Sequence, residues 1–342
     1  MAGSSDAEVT GGMTENEIRP KPLLDEFFAR LKRDADRLAG HRASFVRVGC
    51  GFCGGGGRHA FDKDGFSYAE CVACRSLFVD PRPAAEALAD FARRSEAVAF
   101  WSSHFYRETA AARRERIFRP RARAVVEAAR AHGLGDMLRF ADVGAGYGLF
   151  LAELRAAAPR WSLTGIEPDA RLAAACREEG FDAVERWIEE MRDEEGGFDF
   201  VSAFEVLEHV FDPLAFLAAC RRLVRPGGFV LVTTLTISGF DLQVLWNESR
   251  SITPPQHLNF PSVGAVDRCA ARAGFEVVEL TTPGRLDVDI VRNVCRERPE
   301  AVRDRFAQAI AGAPDEVRQA FQQFLASHRL SSHLRCLLRR PA

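Results

Sequence analysis

The spacing of apolar residues changes character three times along the chain. From Pro22 to Leu38, apolar side chains fall at Leu23, Leu24, Phe27, Phe28, Leu31 and Leu38, the three-and-four spacing of an amphipathic helix. Around Phe66, Tyr68 and Leu77-Phe78-Val79 the apolar pieces shorten to strand length. Residues 84–132 are rich in Ala and Arg and return to helical spacing, with a break expected near Pro120. From Leu138 onward short apolar runs alternate with helical stretches, the texture of βαβ units feeding a parallel sheet. Strands are expected at 138–143, 162–167, 181–184, 199–204, 228–235 and 275–281. Helices are expected at about 148–157, 169–179, 185–192, 212–223 and 262–273. Residues 1–20 are small and polar and read as a disordered tail, while 298–342 read as a helical segment.

At 342 residues the chain has room for one large domain or two ordinary ones. A hydrophobic share of 47% excludes a wholly disordered chain. Lys plus Arg number 46 against 48 Asp plus Glu, a balance unlike that of a protein whose whole body binds nucleic acid. No apolar run reaches the length of about 18 residues that a transmembrane helix needs. The first twenty residues lack a basic start and apolar stretch, so a cytoplasmic location with reduced thiols is expected. The nine cysteines are therefore read as buried thiols or metal ligands. Cys50, Cys53, Cys71 and Cys74 form C-x2-C, 17 residues, C-x2-C, the spacing of paired zinc knuckles, and Gly54 to Gly57 let the backbone fold around such an ion. Cys176, Cys220, Cys269, Cys295 and Cys336 stand singly and read as small buried hydrophobes.

The first expected strand of the alternating region runs into Asp142-Val143-Gly144-Ala145-Gly146-Tyr147-Gly148. A dinucleotide G-x-G-x-x-G would need glycine at 149, where Leu149 stands. The second strand ends at Glu167-Pro168-Asp169, where a carboxylate can accept hydrogen bonds from both hydroxyls of a ribose; a helix cap is the plainer role, for which Asp169 is the better candidate. The fourth strand leads into Phe204-Glu205-Val206-Leu207-Glu208-His209-Val210, and a helix then precedes Arg225-Pro226-Gly227-Gly228.

This order of motifs resembles the class I S-adenosylmethionine-dependent methyltransferases, in particular their large branch with an EVLEH string, over about residues 136–282. The resemblance implies an α/β fold: a Rossmann-like sheet with helices on both faces, preceded by a small zinc ribbon and flanked by helices. It implies cofactor contacts from Asp142, Gly144, Ala145, Gly146, Gly148, Glu167, Pro168, Phe204 and Glu205. A seventh strand is placed at Asp287 to Val291. The expected organisation is a tail at 1–20, a helix at 21–43, the ribbon at 44–82, a helical connector at 83–135, the S-adenosylmethionine-binding domain at 136–297 and the helical segment at 298–342.

Glu205, Glu208 and His209 spell E-x-x-E-H at the mouth of that site, and His257 lies downstream in Pro254-Pro255-Gln256-His257-Leu258-Asn259-Phe260. The set is similar to that of small-RNA 2′-O-methyltransferases and ubiquinone-pathway O-methyltransferases, which implies Mg2+ or another divalent ion at Glu205, Glu208 and His209 with His257 as a fourth ligand. His209 as a base or substrate-orienting group, and Glu208 as a helix cap, are the alternatives. His209, His257 and Glu208 are the catalytic candidates. The intervening segment from Ser238 to Thr253 could close over substrate, with Trp246, Asn247, Glu248 and Arg250 as contacts. The whole layout resembles a bacterial group with N-terminal ribbons that act on sugars, polysaccharide or lipid precursors, or natural products. The expected acceptor is thus a small molecule, glycan or lipid precursor methylated on oxygen. The alternative is an RNA or protein methyltransferase that docks its target on the ribbon and on the 107–130 stretch, where eight Arg face three Glu. A solvated helical face is the simpler account of that stretch. The intact glycine loop and acid-histidine string argue against a non-catalytic scaffold.

Overall fold

The computed structural model of the chain describes residues 13–192 and 195–342. Eleven strands fall into two sheets among them. Strands β1 (Gly57–Lys63), β2 (Phe66–Cys71) and β3 (Leu77–Val79) form an antiparallel ribbon. The alternating region supplies β4 (Arg139–Val143), β5 (Ser162–Ile166), β6 (Asp182–Val184), β7 (Phe198–Phe204) and β8 (Val224–Leu235). Then follow β9 (Asn259–Phe260), β10 (Glu276–Thr281) and β11 (His333–Arg339). The larger sheet has the order β10-β11-β8-β7-β4-β5-β6. β6, β5, β4, β7 and β8 pair in parallel, and β11 runs antiparallel between β8 and β10. The strand order reverses at β4, so the carboxyl ends of β4, β5 and β7 flank one crevice, the usual ligand position in open α/β sheets.

The parallel strands stand where the apolar runs predict them because both faces are covered. Phe140 and Phe200 stack at 5.6 Å on one face, while Ala141, Val143, Val201 and Ala203 pack on the other. Three expectations change. The seventh strand is β11, and Asp287–Glu297 is a helix whose Val288, Val291 and Val294 face the core. β11 alternates Leu334, Cys336 and Leu338 inward, a period-two pattern concealed by its position after two helices, Arg305–Gly312 and Asp315–Ser327. The stretch 185–192 holds only a single turn, Ile188–Glu190. Residues 84–132 are not broken at Pro120. Helical backbone is continuous from Glu96 to Ala131, with π turns at Trp101–Phe105 and Arg114–Phe118, the second just before the proline that cannot donate an N–H.

The expected tail lies in part, at residues 1–12, outside the described residues. Residues 13–20 are ordered. Thr14 and Glu17 form a capping box for the turn Glu15–Ile18, Ile18 is buried, and the Glu15 N–H donates to Asp289 at 2.9 Å. One apolar anchor and long-range bonds of Glu15 to Asp289 and Asn293 and of Glu17 to Arg116 hold a segment whose composition is otherwise that of a linker.

The ribbon does not stand apart. β3 pairs with β9, which comes from the far end of the chain (Leu77 opposite Phe260, Phe78 opposite Asn259). Cys50, Phe52, Cys71 and Phe78 share a core with Phe216, Leu217, Ala265 and Cys269. Phe52 and Phe78 are fully buried there, worth about 1.5–3 kcal/mol each in burial alone. A β-carbon at Gly51 would meet Pro213 Cδ at 2.5 Å, so glycine is what lets the first knuckle touch the helix Pro213–Leu223. Among the described residues no helix is long and apolar enough to cross a membrane.

Candidate active site

A cleft of about 2670 Å³ opens over the carboxyl ends of β4, β5 and β7. Its floor is the glycine loop. Gly144 has φ +75°, in the left-handed region that an L side chain rarely adopts, and a β-carbon there would meet Val206 Cγ2 at 2.8 Å. The Gly144 N–H donates to the Ile166 carbonyl at 2.8 Å, which ties the loop to β5. The Gly146 N–H donates to Glu167 Oε2 at 3.0 Å, and the Asp169 N–H to Glu167 Oε1 at 3.0 Å. Each carboxylate oxygen keeps a further lone pair, since a carboxylate offers about four acceptor sites in all. Burial raises the Glu167 pKa, and the two backbone donors work against that rise. Asp169 is the helix cap, accepting from the N–H groups of Arg171 and Leu172. Asp142 is buried at the loop's root, accepts from Ser202 Oγ at 2.6 Å, and is pushed up to about 7 by desolvation. Asp142, Gly144, Ala145, Gly146, Glu167, Pro168, Phe204 and Glu205 all line the cleft. Gly148 does not. It caps the helix Leu149–Ala157 and abuts Cys176 and Phe181.

The acid-histidine string occupies the turn after β7. Glu205 sits at φ 55°, with its N–H on the Thr233 carbonyl at 3.0 Å. Such a conformation in a non-glycine residue is a strain of about 1–3 kcal/mol, held here by pairing to β8. Its carboxylate accepts from Thr233 Oγ1 at 2.5 Å and faces His333 Nδ1 at 3.4 Å and Arg121 at 3.7 Å. Burial pushes the Glu205 pKa up, but His333, Arg121 and Thr233 outweigh it and hold it below the usual value. Glu208 is buried, accepts from Thr234 Oγ1 at 2.7 Å, and is driven well up by desolvation and by the neighbouring Glu205 charge. His209 Nδ1 lies 2.9 Å from the Gln256 carbonyl, and His257 Nδ1 lies 2.6 Å from the Ser251 carbonyl. A carbonyl only accepts, so both rings carry a proton on Nδ1. The rings are 4.8 Å apart. Burial lowers the pKa of both; His257, further lowered by His209, falls to about 3.

Glu208, His209 and His257 present donor atoms that all lie within 4.8 Å of one another. Glu205 is outside this group, so the expected grouping of Glu205 with Glu208 and His209 changes: His257 takes the place of Glu205, which is spoken for by Thr233, Arg121 and His333. In the ribbon, Cys50 and Cys74 Sγ are 3.6 Å apart, Cys53 and Cys71 Sγ 3.4 Å, and all four thiols lie within 4.8 Å of one another. A tetrahedral ion with Zn–S bonds of about 2.3 Å needs thiolates about 3.8 Å apart, so the donor set has the size of a zinc-ribbon site.

Sequence reasoning missed Arg121 and His333. Arg121 belongs to the expected basic face, yet its guanidinium stacks on Phe204 at 4.2 Å and points to Glu205 inside the cleft. Three more arginines of that face are engaged by other groups: Arg113 stacks on Tyr106 at 4.6 Å, Arg116 pairs with Glu17 and Arg119 with Glu153, while Arg107, Arg123 and Arg130 are exposed. His333 starts β11, a strand the pattern reading had taken as helix. In the segment 238–253, Arg250 lines the cleft. Trp246 packs edge-on against Phe61 of the ribbon and Glu248 pairs with Arg298, both away from the cleft wall.

A seven-stranded sheet of this order, with a glycine loop and an acid at consecutive strand ends, is the class I S-adenosylmethionine-dependent methyltransferase fold. The profile of the methyltransferase domain family matches residues 102–280, just over half of the chain, and the protein belongs to that family. Among curated proteins, it is 42% identical over 104 residues to the ubiquinone biosynthesis O-methyltransferase of Methylococcus capsulatus, covering 28% of this chain and 43% of that protein. It is 39% identical over 92 residues to that of Thiobacillus denitrificans, covering 25% and 40%. The chain thus spans about two-fifths of the length of these relatives. Among solved structures, a chain from the complex of the Haloferax volcanii Trm112 methyltransferase activator is 16% identical with a TM-score of 0.49, over 71% of this chain and 96% of that one. An S-adenosylmethionine-dependent methyltransferase from Mesorhizobium loti is 15% identical with a TM-score of 0.43, over 65% and 96%.

Proposed function

We propose that the protein moves a methyl group to a hydroxyl oxygen of a small-molecule, glycan or lipid-precursor acceptor, with His209 or His257 as base. The observation that carries this reading is the pair of imidazoles, each with Nδ1 on a backbone carbonyl, lining the same cleft as the glycine loop. A hydroxyl is a poor nucleophile until its proton leaves, and a neutral imidazole within reach takes that proton as the bond to carbon forms. The curated relatives, named for O-methylation, support oxygen as the acceptor atom over the matched part.

The residues present fit S-adenosylmethionine. Glu167 has free lone pairs for two ribose hydroxyls, Gly144 to Gly146 allow close backbone approach, and Arg121 offers a cation to the methionyl carboxylate. Bound, the cofactor supplies an electrophilic methyl on a sulfonium. The chain holds it, aligns the acceptor and removes one proton, so much of the acceleration is proximity and orientation. The four cysteines are proposed to hold one structural zinc, which analysis should find at about one per chain, lost on replacing Cys50 and Cys53 by Ser.

A second reading is favoured by one observation. Glu208, His209 and His257 would together hold a divalent ion that grips an acceptor hydroxyl. Chelation with add-back separates the two: turnover restored only by the added ion favours the metal, and unchanged turnover in an enzyme that keeps its zinc removes it. The base reading expects His209→Ala or His257→Ala to lower kcat by about 10²–10⁴-fold. Cofactor affinity in calorimetry should stay within about twofold of wild type. Wild-type kcat in both variants would overturn it.

A further inference from the structure

The geometry points to the ribbon as the frame that positions His257, with Tyr68 as the positioning residue. This inference rests on the reading of His257 as an active-site group. Residues 257–262 are held from two sides. On one side, the Tyr68 hydroxyl donates to the His257 carbonyl at 2.8 Å, and the Val79 N–H donates to the Leu258 carbonyl at 3.0 Å. β3 and β9 then pair, and Ser262 Oγ donates to the Cys74 carbonyl at 2.6 Å, which brings the segment to the second cysteine knuckle itself. On the other side, the N–H groups of Leu258 and Asn259 donate to the Glu208 carbonyl at 2.8 and 3.2 Å. The acid-histidine turn therefore meets the ribbon through His257 to Asn259.

Tyr68 is suited to hold a fixed atom. It is fully buried, stacks on Phe61 at 5.2 Å, and stands opposite Val79 in the β2–β3 register. Its phenol is buried with a carbonyl acceptor, so it stays a donor. Arg82 completes the frame. It is 2% exposed, and its guanidinium donates to the Asn259 side chain at 3.1 Å and to the Phe211 carbonyl at 2.7 Å. A module only docking a macromolecule would need none of these bonds. The buried phenol of the ribbon takes as its acceptor the backbone carbonyl of the histidine itself. A displacement of about 1 Å in a catalytic group is enough to change turnover by as much as about 10²-fold.

The test is Tyr68→Phe in the full chain, which keeps the ring and loses the hydroxyl. The readouts are kcat, cofactor affinity by calorimetry, and the imidazole Cε1–H resonance that vanishes in His257→Asn. The expected result is a shifted His257 resonance and a kcat lowered about tenfold or more. Cofactor affinity should stay within about twofold of wild type and the chain folded. Cys53→Ser, the least buried of the four thiols, should move the same resonance from the metal end. An unshifted resonance in both variants would overturn the inference, as would loss of cofactor affinity in step with turnover. A shifted resonance with wild-type kcat would uphold the frame and remove instead the chemical role of His257.

Discussion

Glu167 carries the clearest prediction at the residue scale. Its carboxylate is held by two backbone N–H groups and keeps free acceptor capacity toward the cleft. Losing charged hydrogen bonds worth about 1.5–3 kcal/mol should weaken S-adenosylmethionine binding about 10- to 100-fold in Glu167→Ala. An unchanged dissociation constant would remove the ribose assignment. The histidines set the pH dependence. Burial lowers both pKa values from 6.5, so the neutral, base-competent form persists below the ordinary imidazole range. Turnover should stay level as pH falls from 8 past about 6.5 and decline only at lower pH. A midpoint at or above 6.5 in the kcat/KM profile would contradict the buried rings. Asp142 has the opposite consequence for stability. Its folded pKa is raised to about 7, above the value near 3.9 of the unfolded chain. The unfolded state then releases its proton first, and stability is lost as pH rises between those values. Asp142→Asn removes that loss, so its melting temperature relative to wild type should be higher at pH 8 than at pH 5.

At the scale of elements, the pattern of apolar residues found β4, β5, β7 and β8 because strands buried on both faces are nearly continuous apolar runs, while the two edge strands β6 and β10 were legible from their place between helical stretches. It missed β11 because a seven-residue alternation after two helices is short, and because nothing local says that a strand from the chain's end will lie between β8 and β10. It placed a strand at Asp287 to Val291 because three apolar residues among two acids fit either period over so short a span. Gly51 tests how closely ribbon and sheet domain are joined. A β-carbon would enter Pro213, so Gly51→Ala should destabilise by about 1–3 kcal/mol in urea unfolding. A neutral result would mean the knuckle can draw back from the helix Pro213–Leu223. The acid-histidine string was legible as a string, but its partners were not. His333, Arg121 and Thr233 reach Glu205 from three other elements.

For the whole molecule, the near-neutral charge and the division of the 107–130 arginines bear on the acceptor. Arg113 and Arg121 turn inward, and Arg116 and Arg119 have carboxylate partners. A macromolecular acceptor gripped through six to ten phosphates would lose about 10³–10⁵ in affinity between 50 and 200 mM salt. The small-acceptor reading expects kcat/KM to change less than about tenfold over that range, and a steep salt slope with co-purifying nucleic acid would favour the RNA reading instead.

The sequence by itself determined the parallel half of the sheet, the glycine loop, Glu167 and the cysteine quartet. Each is a local pattern, written in residues that are neighbours in the chain or separated by one helix. Only the tertiary structure decided which strand completes the sheet, that Glu205 is held apart from Glu208 and the histidines, and that the ribbon pairs with the segment bearing His257. Those outcomes depend on contacts between residues as far apart as Tyr68 and His257, or Arg121 and Glu205. Hydrogen bonds and charge pairs of that range leave no periodicity in the chain. They exist only once burial has brought their elements together and every buried polar group must find a partner.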